Sequence, residues 1–171
     1  MKKRTGIIGV LIAILVLGIG YAAVSGVDLL VNGTANVKVD DANFKVHYDQ
    51  SANPTITMGD GVVNTATVTA TYTDDLNATI NVDGFTKRGD KVTVVYTIVN
   101  ESEDIDATLS SPEIGEFDTE YFNVTATLGK EELAKGGDNT TLTVVVEAIK
   151  TPTTDDVSTD INITVPADPV L

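Results

Sequence analysis

The sequence of 171 residues contains no cysteine, no tryptophan and a single histidine, His47. Without cysteine the chain forms neither disulfides nor cysteine-ligated metal sites, so its stability must come from a packed core or from assembly. One histidine is too few for a histidine-based zinc centre, and no Gly-x-Ser-x-Gly motif supplies a nucleophilic serine. We interpret His47 as an ordinary strand residue and predict that the protein is not an enzyme and has no cofactor.

Basic residues are also scarce, with 11 Lys and Arg against 25 Asp and Glu and a formal net charge of −14. Three of the basic residues, Lys2, Lys3 and Arg4, lie at the N-terminus, so the rest of the chain is still more acidic. A surface of this charge repels nucleic-acid phosphates and anionic lipid headgroups. The composition therefore excludes a nucleic-acid partner.

Long apolar runs are limited to one, Ile7–Ile19, which follows the basic start and precedes Tyr21-Ala22-Ala23. A basic start, an apolar stretch and small residues are the parts of a secretory signal. The run is shorter than the roughly 20 residues of a membrane-spanning helix. We predict a helical signal peptide over residues 1–23. A signal peptidase would cleave it before Val24, or alternatively between Ala22 and Ala23, and membrane contact would end there. A retained hydrophobic helix is the alternative.

Beyond Asp28, apolar and polar residues alternate with a period of two, which is typical of strands with one buried face. The clearest strand is KVTVVYTIVN, and Asp-Gly, Gly-Asp and Gly-Gly turns separate the runs. The pattern predicts an all-β protein: a single antiparallel β-sandwich of about nine strands, with jelly-roll or Greek-key connections. We divide the secreted chain into an N-terminal strand, residues 24–39, and a domain, residues 40–171. Only residues 129–137 look helical.

Three stretches of the chain resemble the secreted TasA/camelysin-like family of matrix-fibre proteins, whose signal peptides are removed by a SipW-type peptidase. The first is the signal exit GIGYAAVSGVDLLVNGTANV, similar to the family's Gly-aromatic-Ala-Ala exit and following strand. The other two are GFTKRGDKVTVVYTIVNESEDIDATLSSPEI and LAKGGDNTTLTVVVEAIKTP, although Arg88 stands where the family usually has Pro. The resemblance implies a jelly-roll subunit of an extracellular filament or biofilm matrix. In such a subunit the freed N-terminal strand enters the next copy.

The physics of such strand exchange does not depend on the family. A sheet that lacks one strand exposes backbone hydrogen-bonding groups and an apolar groove, and an extended segment with alternating apolar residues can fill both. A strand from a neighbouring copy makes a head-to-tail contact that does not close, so a homopolymer grows. We predict that Leu29, Val31, Ala35 and Val37 fill successive pockets. The alternative is that this segment is the first strand of its own sandwich.

Two further readings of the sequence compete with the filament subunit. One is a monomeric cell-surface β-sandwich that binds a partner. The other is a type IV pilin or archaellin-like subunit that keeps its hydrophobic helix, for which processing would fall before Ile7. The mature N-terminal residue separates this last reading from the others.

Two groups of surface residues remain as site candidates. Loop carboxylates can bind calcium, and Glu103, Asp104 and Asp106 are the best calcium candidates here, although acidic runs are more often solvated turns. Six Asn-x-Ser/Thr acceptor sequences suit N-glycosylation in a host that performs it: Asn32, Asn77, Asn100, Asn123, Asn139 and Asn162.

Overall fold

The structure is a computed structural model that describes residues 27–31 (backbone only), 43–59, 66–151, 153, 157 and 159–170. The described residues contain no helix, and so none of them forms a helix long and apolar enough to span a membrane. They form twelve strands: β1 (Val27–Val31), β2 (Val46–Tyr48), β3 (Thr55–Met58), β4 (Thr67–Tyr72), β5 (Asn77–Asp83), β6 (Lys91–Asn100), β7 (Asp106–Leu109), β8 (Glu113–Ile114), β9 (Phe122–Leu128), β10 (Glu132–Leu133), β11 (Asp138–Ala148) and β12 (Ile163–Val170).

The strands make two sheets. Sheet A has the order β10-β7-β12-β1-β5-β4, with β8 beside β12. Sheet B has the order β2-β6-β11-β9, with β3 pairing β6 beyond the end of β2. All but one of the strand pairs are antiparallel, and the exception is the parallel pair β1–β5. The expectation of an all-β protein built from antiparallel sheets is confirmed.

The centre of sheet B is the pair β6–β11, in register from Lys91↔Glu147 to Asn100↔Asp138. In both strands, buried and half-buried side chains alternate along most of the length, because successive side chains of a strand point to opposite faces. Apart from Asn100, Leu142 and Ala148, the inward set is β-branched or aromatic, which suits a pleated, half-buried surface. The period-two pattern therefore predicted the position of these strands correctly.

One buried apolar cluster takes side chains from both sheets. Tyr96 and Ile98 of β6 belong to it from sheet B, and Leu109 of β7 and Val165 of β12 belong to it from sheet A. All four side chains are at most 1% exposed. Since the two sheets bury the same cluster, they form one body and not two separate domains.

The predicted helix at residues 129–137 is wrong. Glu132–Leu133 pairs with Thr108 and Ala107 of β7, and Leu133 is buried. The segment ends at Gly136 and Gly137, whose φ angles of 81° and 94° are ones that residues other than glycine rarely adopt. Nine residues are too few for a stable helix without packing, and burial of Leu133 against sheet A decided the conformation.

The last strand is also longer than its sequence suggests. The alternating run INITV indicates a strand over Ile161–Val165, and the proline that follows cannot donate a ladder hydrogen bond. In the structure β12 continues to Val170 and pairs with β7 through Ala167↔Leu109 and Pro169↔Ala107. The Pro166 carbonyl compensates in part by accepting a bond from the Ser110 N–H at 2.8 Å.

Candidate functional site: the N-terminal strand and the two ends of the body

The strand β1 lies inside sheet A, between β12 and β5. It pairs antiparallel with β12 over five residues, from Val27↔Ala167 to Val31↔Ile163. It pairs parallel with β5 through Leu30↔Asn77 and Val31↔Ala78. Among the described residues β12 and β5 do not pair with each other, so β1 alone connects the two halves of sheet A.

Two of the four residues predicted to fill pockets, Leu29 and Val31, belong to β1. Ala35 and Val37 lie outside the described residues, as do Ala22, Ala23 and Val24 at the predicted cleavage site. The parallel pairing with β5 was not predicted. No pattern along the chain indicates it, because the partner strand begins 46 residues after Val31.

One end of the body is organised by the buried amide of Asn100, at the end of β6. Its Nδ2 donates to the carbonyl of Ile105 at 3.0 Å and to the carbonyl of Leu133 at 3.2 Å, and its Oδ1 accepts from the Ser102 N–H at 3.0 Å. Buried Ser102 in turn accepts the Lys45 N–H at its Oγ, at 2.8 Å. These bonds fix the loop of residues 101–106, which we call the acidic loop.

The three calcium candidates lie at this loop but do not converge. Asp106 Oδ1 accepts the Lys135 N–H at 2.9 Å, whereas exposed Glu103 and Asp104 line a small cleft with Lys45. In the part of the chain that the structure describes, no three metal-ligating side chains are close enough together to hold an ion. The acidic loop therefore presents separate, solvated carboxylates.

The opposite end of the body is organised by Asp90, which is fully buried just before β6. Its Oδ2 accepts the N–H groups of Thr86 at 2.8 Å and Lys87 at 3.1 Å, while no described residue bonds its Oδ1. Gly89, with a φ of 92°, makes the turn and donates to the Ala148 carbonyl at 2.7 Å. The Gly-Asp turn read from the sequence is thus a carboxylate-capped loop docked on β11.

A cleft of 260 Å³ opens beside this turn. Its walls include three half-buried aromatic residues, Phe85, Tyr121 and Phe122, and two exposed lysines, Lys87 and Lys150. Lys150 forms an ion pair with Glu120, and its Nζ lies 4.6 Å from the centre of the Tyr121 ring. The sequence analysis missed this cleft, although the run Lys87-Arg88-Gly89-Asp90-Lys91 in so acidic a chain was a signal for it.

Three tyrosines couple the two sheets between these ends. The ring centres of Tyr48, Tyr72 and Tyr96 lie 5.7–5.8 Å apart in pairs, a spacing at which aromatic rings attract one another. Tyr96 donates its hydroxyl to the Thr79 carbonyl at 2.9 Å, whereas the buried Tyr48 hydroxyl has no partner among the described residues. Burial, followed by the neighbouring tyrosines, raises the pKa of Tyr48 and of Tyr96.

His47 lies on β2 and is half-buried. Its Nε2 is 3.3 Å from the exposed Glu101 carboxylate, and its Nδ1 is 2.9 Å from the carbonyl of Tyr48. The position is that of a strand residue at the base of the acidic loop.

The glycosylation acceptors differ in access. Asn123 and Asn139 are exposed, Asn77 and Asn162 are half-buried, and Asn32 lies outside the described residues. The amide of Asn100 is buried and fully engaged, so it is inaccessible in the folded chain. Asn77 donates its amide to the Asp74 carboxylate.

Comparison with known proteins returned no match among family models, curated proteins or solved structures. The candidate site must be interpreted from its own geometry.

Proposed function

We propose that the two-sheet body is a jelly-roll type β-sandwich. We further propose that the protein is a secreted, non-enzymatic subunit of an extracellular filament or biofilm matrix at the cell surface. Copies would assemble head to tail, each by placing its N-terminal strand in sheet A of the next. The observation that carries the proposal is the position of β1, which alone connects β12 to β5 among the described residues.

A strand in this position leaves a slot when it is removed. The backbone groups of β12 and β5 that face β1 lose their partners. The same segment of a second copy restores the same contacts. Pairing of β1 within a chain and between chains therefore makes nearly the same contacts. Strain, chain entropy and protein concentration determine which of the two pairings is populated. Because the contact is head-to-tail, it propagates as a filament.

The N-terminal sequence supports the same proposal. Removal of residues 1–23 by a signal peptidase would free the segment that contains β1, whereas a membrane-anchored segment has little access to a neighbour. Cleavage would then act as the switch from a monomer in the membrane to a polymer outside it. Its test is N-terminal sequencing of the filaments, where we expect Val24 or Ala23.

The second candidate is a monomeric surface module that binds a partner. It is favoured by the pairing of β1 with its own chain and by the aromatic cleft at the Asp90 end. The two candidates differ in one observable property, which is whether β1 pairs within a chain or between chains.

Engineered cysteines test this difference, because the chain has none of its own. Leu30 and Thr164 are opposite each other in the β1–β12 register, and opposed residues of antiparallel strands lie within disulfide reach. We expect an equimolar mixture of Leu30→Cys and Thr164→Cys chains to form covalent dimers on oxidation. The double variant, oxidised as a monomer, should lose filaments in electron microscopy and sedimentation and regain them on reduction.

The matched control combines Leu30→Cys with Thr143→Cys, because Thr143 pairs with Thr127 and Val95 in sheet B, away from β1. This mixture should give no disulfide dimer. Filaments that persist when the Leu30–Thr164 disulfide is closed within each chain would contradict strand exchange. A chain starting at Val39 provides a further comparison, and we expect it to remain monomeric.

A further inference from the structure

The two ends of β6 differ in their predominant charge, although each end holds both signs: Lys45 and Lys135 lie at the second end, and Glu120 and Glu147 lie at the first. Strand β6 runs from Lys91 to Asn100, about 30 Å at 3.3 Å per residue. Lys87, Arg88, Lys91 and Lys150 lie at its first end, which we call the basic end; Glu101, Glu103, Asp104 and Asp106 lie at its second end, which we call the acidic end. Four of the eight basic residues that follow Arg4 thus lie at one end of a strongly acidic protein.

Two cations of the basic end have no partner within the described residues. Lys150 pairs with Glu120, and Lys91 is opposite Glu147 in the β6–β11 register. By contrast, no described carboxylate lies within 4.0 Å of Lys87 or Arg88. Lys87 and Lys150 line the aromatic cleft together with Asp83, so lysines outnumber carboxylate residues among its described lining residues. Such a cleft suits carboxylate side chains.

The acidic loop has the opposite character and a fixed shape. Asn100 and Ser102, both fully buried, hold it through their side chains, while the Glu103 and Asp104 side chains are exposed. A loop that is already ordered loses little conformational entropy when it docks. It can therefore act as a rigid acidic ligand.

Strand direction determines which ends meet if β1 is exchanged. β12 ends beside Asp106, where Val170 pairs with it, and β1 runs antiparallel to β12. The N-terminal strand therefore enters the body from the acidic end and points toward the basic end. Its own chain resumes at Asn43, next to its own acidic end, since Lys45 bonds Ser102 and Val46 pairs with Asn100.

The segment that links the N-terminal strand to the rest of its own chain is short. Eleven residues separate Val31 from Asn43, and eleven residues span at most about 40 Å when fully extended. A strand placed in a neighbour thus ties the acidic end of its own body to within that distance of the position of Val31 in the neighbour, beside Ile163 and Ala78. From Ala78, β5 continues to Asp83 at the neighbour's basic-end cleft.

We propose that the basic-end cleft of each copy receives the acidic loop of the copy whose N-terminal strand it holds, through Lys87 and Arg88 facing Glu103 and Asp104. This inference rests on the proposed function, since strand exchange is what brings the two ends together. The contact fixes the polarity of the filament and makes its assembly sensitive to salt, because exposed ion pairs are screened.

Charge reversal with reciprocal rescue tests this contact. At low salt we expect Lys87→Glu/Arg88→Glu to slow assembly about tenfold, measured by light scattering and sedimentation, and Glu103→Lys/Asp104→Lys to do the same. The chain with all four changes should regain the assembly rate, because its ends are complementary again. The difference between variants and wild type should shrink in 0.5 M salt, at which the Debye length is only about 4 Å.

Thr125→Glu/Thr127→Glu is the control, because it adds negative charge at exposed positions of β9 that pair with β11, away from both the cleft and the acidic loop. Its assembly rate should stay within about twofold of wild type, and thermal unfolding of every variant should establish that it folds. The end-to-end contact would be overturned if the Lys87→Glu/Arg88→Glu chain assembled at the wild-type rate. It would also be overturned if the chain with all four changes folded but did not regain the assembly rate.

The Leu30–Thr164 disulfide separates this failure from failure of the proposed function. The cysteine pair is introduced both into the otherwise wild-type chain and into the Lys87→Glu/Arg88→Glu chain. If interchain disulfides form equally well in both, and both assemble at equal rates, strand exchange stands and the end-to-end contact is overturned. Absence of interchain disulfides in the otherwise wild-type chain overturns both.

Discussion

The two ends of the body are each organised by one buried polar residue, but the two residues differ in charge and in how fully they are bonded. Asn100 at the acidic end is neutral and makes three side-chain hydrogen bonds. Asp90 at the basic end has two backbone N–H groups on Oδ2 and no partner among the described residues on Oδ1. In the sequence, the cations Lys87, Arg88 and Lys91 are close to Asp90, whereas carboxylates follow Asn100 at residues 101, 103 and 104.

A neutral amide at its base, and not a carboxylate, holds the acidic loop of this acidic protein in place. A carboxylate at position 100 would add like charge to Glu101, Glu103 and Asp104 in a buried site, and an amide offers both donor and acceptor without that repulsion. At the basic end a carboxylate accepts backbone N–H bonds more strongly than an amide does. The choice at each end follows the local charge.

The largest expected effect is at the acidic end. Asn100→Ala removes three hydrogen bonds, because the carbonyls of Ile105 and Leu133 lose this donor and the Ser102 N–H loses its acceptor. We expect it to lower the free energy of unfolding by about 2–4 kcal/mol in urea denaturation. The control Asn139→Ala, at an exposed position of β11, should change the free energy by less than about 0.5 kcal/mol. Equal effects in the two variants would show that the amide does not organise this end.

Substitution of the buried residue at the basic end, Asp90, should lower the free energy of unfolding less than substitution of Asn100, and the size of the effect should depend on the replacing residue. Asp90→Ala leaves the N–H groups of Thr86 and Lys87 unpaired and should cost about 1–3 kcal/mol of unfolding free energy. Asp90→Asn keeps an acceptor oxygen for both groups and should cost less than Asp90→Ala in the same denaturation experiment. If both substitutions lower the free energy of unfolding equally, an acceptor oxygen at residue 90 is not sufficient for stability and the charge of Asp90 contributes.

The tyrosines between the ends should make the protein sensitive to alkali. Burial raises the pKa of Tyr48 and Tyr96 above the unfolded value near 10, so the folded state keeps protons that the unfolded state releases. Their stabilisation is complete below pH 10 and is lost as pH rises above it, by about 1.4 kcal/mol per pH unit for each tyrosine. Denaturation between pH 9 and 11.5 measures the slope of the unfolding free energy against pH. Tyr96→Phe should make this slope shallower by the contribution of one tyrosine, about 1.4 kcal/mol per pH unit. An unchanged slope in that variant would mean that Tyr96 ionises without unfolding.

The smallest expected effect distinguishes the two buried hydroxyls. Tyr48 has no hydroxyl partner among the described residues, whereas Tyr96 bonds Thr79. We expect Tyr48→Phe to leave stability unchanged or to raise it by up to about 1 kcal/mol, and Tyr96→Phe to lower it by about 1 kcal/mol at pH 7. Thermal unfolding of the two variants side by side would show the opposite signs. A loss in Tyr48→Phe would indicate that its hydroxyl does have a partner.

Much of the fold followed from the sequence because strand patterning is local. Alternation located β6, β9 and β11, and the Gly-Asp and Gly-Gly turns marked where strands stop. The helix predicted for residues 129–137 failed because the deciding contact, Leu133 against β7, is distant in sequence. The strand indicated over Ile161–Val165 was too short for the same reason, since pairing with β7 carries β12 past Pro166 despite the missing N–H.

The candidate site was predictable only in part. The sequence indicated an N-terminal strand with assembly potential, and Leu29 and Val31 lie in it. It did not indicate that the strand would lie between β12 and β5, nor that Asn100 would be a buried support and not a surface acceptor for a glycan. These properties depend on which distant segments meet.

The sequence by itself determined that this chain is built of strands, because the alternation of apolar and polar residues fits only the two-residue period of a strand, and it determined the strongly acidic charge. The tertiary structure alone decided that the first described strand joins two halves of one sheet, and that Lys150 joins Lys87 beside the cleft at one end of β6. The physical reason is that strand pairing is made between residues far apart in the chain, where order along the sequence carries little information about neighbours in space.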